Sequence, residues 1–237
     1  MSGVLKKIDD RLFLIGVAHV LPTSAAEVGE IIKRERPDVV AVELCPIRYL
    51  ALTQGERRSG VLDVARAGPK LLLLSGLLWL LQDKFSRQTG MPAGEEMLVA
   101  IKHAREIGAR IELIDQDIGL TFQRLIDLMP WRERLRLFAE LLIGLLPIGK
   151  PVKLERLTDE QIVNYLLEEL KLASPTLYEV LIQERDTYMA SKLAMLLLED
   201  KKVVCVVGAG HVPGIFDMLS RGGAEGWGIN LKYKVGG

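Results

Sequence analysis

Residues 11–44 read RLFLIGVAHVLPTSAAEVGEIIKRERPDVVAVEL, and the fold is decided there. Residues 11–20 (RLFLIGVAHV) are an apolar run that meets a glycine, the pattern of a buried strand entering a loop. Ser24-Ala-Ala-Glu27 has capping-box spacing and predicts a helix start. Val28, Ile31 and Ile32 give that helix an apolar face, and Pro37 stops it. Residues 38–44 (DVVAVEL) are apolar on both faces, as a strand covered on both sides of a parallel sheet must be. Strand, helix and strand in one short stretch make a βαβ unit.

Outward from this unit, residues 95–107 read as a helix, Gly108 as its C-cap and residues 111–114 as a strand. Residues 121–199 read as helices almost throughout. Their starts are marked at Thr121, at Thr158 with Gln161, and at Ser174 followed by Pro175. Residues 202–207 (KVVCVV) form another buried strand, opening into Gly208-Ala-Gly-His211. The expected class is α/β: a central mixed, largely parallel sheet built from both chain ends, with a large helical insertion. No linker is visible, so residues 1–237 read as one domain with a helical subregion at 120–200.

Composition narrows the function. The 237 residues carry 31 basic and 31 acidic side chains, leaving no surplus for phosphate backbones, so nucleic acid is not expected as a partner. With 49% apolar residues and no low-complexity stretch, disorder is excluded. Cys45 and Cys205 are the sole cysteines, which supply neither a disulfide framework nor a Cys-rich zinc module and suit a reducing, cytoplasmic compartment. Residues 1–10 lack the apolar stretch of a signal peptide. The leucine-rich runs at 71–81 and 137–148 fall short of the roughly 20 residues a membrane helix needs. They read as core helices. Trp79 and Trp131 keep membrane-surface docking open, and the leucines a homodimer contact.

The chemistry gathers at strand ends. Of three histidines, His19 and His211 occupy matching Gly-x-x-His-Val segments, Gly16–Val20 and Gly208–Val212, each closing a predicted strand. The carboxyl edge of an α/β sheet is where ligands bind, imidazole is a common ligand of transition metals, and Gly16, Gly208 and Gly210 let substrate approach the backbone. A lone histidine there reads as a satisfied loop residue; the pair points to a shared site. Glu43 closes the 38–44 strand, Asp115 follows the next one, and Glu96 opens a helix. Their plain readings are ion pairing and a helix-dipole contact. Arg124, Glu184 and Arg185 lie on apolar helical stripes, so both arginines are expected to be mostly buried and paired with acids, Asp186 included. His103 reads as a surface residue.

The leading expectation is therefore a hydrolase that cuts a peptide or other amide bond. His19, Glu43 and His211 converge on a divalent transition metal (manganese, cobalt or zinc), with Glu96 or Asp115 as further ligand or base. Arg124 or Arg185 then stabilises the oxyanion. Because His211 follows its strand, its truncation is expected to leave a solvent-reachable gap. The alternative is a non-catalytic protein that captures a peptide or small ligand in the same crevice. A dinucleotide site fails, since Pro213 stands where the third glycine belongs. A zincin also fails, for want of His-Glu-x-x-His.

These motifs as a set resemble the TraB/PrgY family, related to the Tiki metalloproteases and more distantly to erythromycin esterase-like and ChaN-like proteins. The segments are IGVAHV (15–20), PDVVAVELC (37–45), GEEMLVAI (94–101), IDQDI (114–118), TFQR (121–124), ERDTYMA (184–190) and VVGAGHVPGI (206–215). The chain departs from the pattern at Gln116, where the family's segment has arginine. The resemblance implies a sheet-centred fold with a site at the two Gly-x-x-His motifs. For Tiki-like members it implies metal-dependent peptide hydrolysis, and for PrgY-like members limitation of a peptide pheromone by degradation or sequestration. Members of this kind often continue into hydrophobic C-terminal helices, which leaves membrane association to segments outside this chain.

Overall fold

The computed structural model describes residues 4–8, 10–17, 22–54, 94–144 and 159–221. Its strands are β1 (Val4–Ile8), β2 (Leu12–Val17), β3 (Val39–Val42), β4 (Arg110–Leu113) and β5 (Val203–Gly208). They form one five-stranded sheet in the order β1-β2-β5-β3-β4. Only β1 runs antiparallel to its neighbour. The strand from the far end of the chain, β5, lies between β2 and β3, so the sheet is built from both chain ends as expected.

Both faces of the sheet are covered, which is why its strands read as continuous apolar runs. Alternate residues sort onto the two sides. Leu12, Leu14, Ala41, Val203, Cys205 and Val207 pack against Met189 and Leu193 of α8 (Glu184–Leu198) and Val212 and Ile215 of α9 (Val212–Arg221). Phe13, Ile15, Val40, Val42, Val204 and Val206 pack against Val28 and Ile32 of α1 (Pro22–Glu35) and Met97 and Ile101 of α3 (Glu95–Ile107).

Between β4 and β5 the described chain is helical: α4 (Ile118–Leu128), α5 (Trp131–Gly144), α6 (Asp159–Ala173), α7 (Pro175–Tyr178), a π-helical turn (Glu179–Gln183) and α8. The Ser174–Pro175 start forms as predicted, with Ser174 Oγ accepting the Leu177 N–H at 3.1 Å. Gly108 caps α3 at φ 73°.

Several boundaries differ from expectation. Helix α1 begins at Pro22, ahead of the predicted Ser24 cap. Helix α4 begins at Ile118 because Asp117, not Thr121, caps it, accepting the Gly119 and Leu120 N–H groups. Strand β3 stops at Val42, which leaves Glu43 just past the strand. Strand β1 carries lysines at 6 and 7, as suits an edge strand, and these hide its apolar signal. Helix α2 (Pro46–Gln54) follows β3 directly. His103 is half-buried, packed on Gly29 of α1 and bonded to Glu106, because α1 and α3 pack closely where Gly29 has no side chain. Residues 18–20, the 71–81 run and the 137–148 run beyond Leu137 lie outside the described side chains. No helix among the described residues is long and apolar enough to cross a membrane.

Candidate functional site

The parallel register carries the carboxyl ends of β2, β3, β4 and β5 to one edge of the sheet. Gly16 pairs with Val207 and Val17 with Gly208, while Val42 faces both Val206 and Leu113. Gly16 and Gly208, which open the two Gly-x-x-His segments, thus lie at the ends of neighbouring strands on the same edge. His19 itself lies outside the described residues.

Glu43, Asp115, Arg185 and His211 converge at this edge. The Arg185 guanidinium grips Asp115 with two bonds of 2.9 Å, from Nε to Oδ1 and from Nη2 to Oδ2. Nη2 also donates to Glu43 Oε1, and Nη1 to the Leu181 carbonyl at 3.3 Å. Nη1 lies 3.0 Å from His211 Nε2, which in turn lies 3.4 Å from Glu43 Oε1. At the other ring nitrogen, Nδ1 bonds Asp186 Oδ1 at 2.6 Å. Glu43 Oε2 accepts the Gly208 N–H.

Protonation follows from this geometry. Burial opposes ionisation of Glu43, but the charges of His211 and Arg185 and the Gly208 N–H outweigh it and hold the carboxylate well below its usual range. Burial likewise opposes the Arg185 charge, and Glu43 and Asp115 outweigh it, raising the guanidinium further above its ordinary value. For His211 burial favours the neutral ring, yet Glu43 and Asp186 push it up to about 9. Burial raises Asp186, and its bond to His211 offsets part of that. The two contacts of His211 Nε2 belong to different states. A neutral ring accepts from Arg185; a protonated ring donates to Glu43.

The expected set is met unevenly. Arg185 is mostly buried, with its side chain 15% exposed, and is paired with Glu43 and Asp115. Arg124 bonds Glu184 through Nε at 3.1 Å and through Nη2, but its side chain is 43% exposed. It follows the exposed Leu120 on its stripe, so helical phase overstated its burial. Glu184 sits in that pair. Glu96 is buried in the first turn of α3. A Cβ on Gly208 would meet Glu43 Oε2 at 3.2 Å, whereas Gly210 lies against Leu167. His211 is 5% exposed, so its truncation opens a buried gap, contrary to the expectation from its place after the strand. Gln116 is buried, with its amide 3.4 Å from Thr121 Oγ1.

Sequence reasoning placed Asp186 in a polar network but missed it as the partner of His211. The available signal was phase: Asp186 shares one buried stripe with Met189, Ala190 and Leu193, where a carboxylate must be paired. Arg48, 3.6 Å from Asp115 at the start of α2, was missed entirely.

The cluster suits a divalent cation in charge and in part of its donor set. With neutral His211, the carboxylates of Glu43, Asp115 and Asp186 outnumber the guanidiniums of Arg185 and Arg48 by one charge. His211 Nε2 and Glu43 Oε1 stand at a separation adjacent ligands of one metal have, about 3 to 4 Å for ~2.1 Å bonds. Asp186 behind Nδ1 is the outer partner that metal-binding histidines use. A metal there requires Arg185 to leave both donors. No group of three potential ligands comes together among the described residues.

The model of the TraB/PrgY/gumN family matches residues 4–230. An uncharacterized protein of Methanocaldococcus jannaschii is 36% identical over 221 residues, covering 89% of this chain and 53% of that protein. TraB domain-containing proteins of Mus musculus and Homo sapiens are each 32% identical over 232 residues, covering 86% of this chain and 61% of theirs. The chain thus spans between half and two thirds of the length of these relatives. With the family model matching nearly its whole length, the chain belongs to the TraB/PrgY/gumN family.

Proposed function

We propose that the chain is a hydrolase of peptide or other amide bonds, working at the strand-end cluster with a divalent transition metal. The observation that carries this reading is the shared reach of one imidazole nitrogen and one carboxylate oxygen, 3.4 Å apart, beside a mostly buried guanidinium. Amide hydrolysis needs an activated water and a cation where the carbonyl oxygen becomes negative. His211 and Glu43 would hold the metal, with His19 as a third ligand. Bound metal lowers the pKa of its water toward neutrality.

The chain's own residues supply the rest. Asp186 keeps the proton on Nδ1 and so turns Nε2 outward as the donor. Arg185 keeps its two bonds to Asp115 when it releases Nε2 and Glu43, so its charge stays at the site to stabilise the oxyanion. Its partial burial weakens the screening of that charge and strengthens the effect.

A mixture of synthetic peptides incubated with the chain and Mn²⁺ or Zn²⁺, read by mass spectrometry, tests this. Expected are new termini with wild type, lost with chelator and in Glu43→Ala and His211→Ala. Peptides that bind but stay intact would overturn hydrolysis in favour of the sequestering alternative.

A further inference from the structure

The ring of His211 is held at both nitrogens by consecutive residues of one helix. Arg185 lies at Nε2 and Asp186 at Nδ1, at 3.0 and 2.6 Å. Neighbours in an α-helix point about 100° apart, so they reach one ring only if it sits between them. The π-helical turn Glu179–Gln183 precedes them and ends with the Glu184 N–H bonded five residues back, to the Glu179 carbonyl. Turns of this kind reset the phase of the helix that follows.

Asp186 needs room on its other side. Its carboxyl group lies against the first turn of α9, at Gly214. A Cβ built on Gly214 would land on Asp186 Oδ2, and would stand 2.8 Å from Cγ and 3.3 Å from the Asp186 Cβ. The conflict extends along the whole carboxyl group, so rotation of the far oxygen does not relieve it. Gly214 has no positive φ, so space and not backbone conformation calls for glycine here. The N-terminal end of α9 also favours an anion beside it.

The structure assigns Asp186 and Gly214 a joint positioning role: Asp186 holds the Nδ1 proton of His211, and Gly214 is the opening in α9 that admits Asp186. Nδ1 carries that proton whether or not Nε2 is protonated, so the assignment holds in either state of the ring. Its link to catalysis rests on the hydrolase reading above; its structural content does not.

The test is ¹⁵N imidazole NMR on the full chain at fixed pH, where three histidines allow assignment by substitution. Wild type should show a slowly exchanging, downfield Nδ1 proton that His211→Gln removes. Asp186→Ala should lose it, Asp186→Asn should keep it through its acceptor oxygen, and Gly214→Ala should lose it although no titratable group has changed. Zn²⁺ titration supplies the second reading. Asp186→Ala should bind 10- to 100-fold more weakly than wild type, with partial recovery in Asp186→Asn, as for other outer-shell partners of metal-bound histidine. Persistence of the resonance in Asp186→Ala overturns the assignment, as does a wild-type signal in a folded Gly214→Ala. If Gly214→Ala does not fold, the Asp186 pair decides. Wild type that binds no Zn²⁺ but shows the resonance would sink the metal reading and leave the positioning role standing.

Discussion

His211, Arg185 and Asp186 share one problem, which is to keep charge inside a sheet edge that excludes water. Arg185 solves it for Glu43 and Asp115 together, so its loss takes the shared guanidinium from two carboxylates whose side chains are 11% and 3% exposed. Arg185→Met should cost about 3 to 5 kcal/mol, whereas Arg124→Ala, with its pair partly exposed, should cost about 0.2 to 1 kcal/mol. Urea unfolding of the two variants checks the contrast, and equal costs would contradict it. The His211 proton gives a second expectation. Its pKa rises from 6.5 in the open chain to about 9 in the folded one. The folded state therefore gains stability that is complete below about pH 6.5 and lost as pH climbs through about 9. The loss should be on the order of 3 kcal/mol. Unfolding measured at pH 6 and pH 10 should show it in wild type and not in His211→Gln. The convergence of Glu43, Asp115 and Arg185 was legible in part because each broke an apolar pattern at a strand end or on a helix face. The Asp186–His211 bond was not, because it joins distant segments and depends on a glycine whose importance is a matter of space.

The elements that present these residues are held by ordinary packing and one polar clasp. Glu133 of α5 accepts Thr176 Oγ1 at 2.7 Å, the Thr176 N–H at 3.1 Å and the Ser174 hydroxyl. Burial resists its charge, but these bonds hold it below its usual range. The clasp ties α5 to the start of the helical run that delivers Glu184, Arg185 and Asp186. Glu133→Ala should therefore destabilise by about 1.5 to 3 kcal/mol, the worth of hydrogen bonds to a charged group. Leu193→Ala, a fully buried truncation under the sheet, should cost about 2 to 5 kcal/mol. Differential denaturation of the two proteins checks both. Helix existence was readable from apolar phase and from Ser174–Pro175 and Gly108. The start of α4 was not, because Asp117 and Thr121 both satisfy the N-cap preference and only the structure shows which oxygen meets the free amides.

Across the whole molecule, formal neutrality conceals an uneven layout. The carboxyl edge gathers three carboxylates around the guanidiniums of Arg185 and Arg48 and one imidazole, and the raised pKa of His211 reflects the carboxylates of Glu43 and Asp186 beside it. A divalent cation and that proton compete for the same charge deficit. Sheet class was legible because both-face apolar strands demand helical cover on each side. Strand order was not, since β5 arrives from residues 203–208 to lie between strands formed near the other end.

The most direct test is calorimetric titration of Zn²⁺ at pH 7 in two buffers of different ionisation enthalpy. Metal binding needs neutral imidazole, so the account predicts saturable binding with release of about one proton per metal, and loss of both in His211→Ala. Absence of binding, or binding of the same strength in His211→Ala, would contradict it.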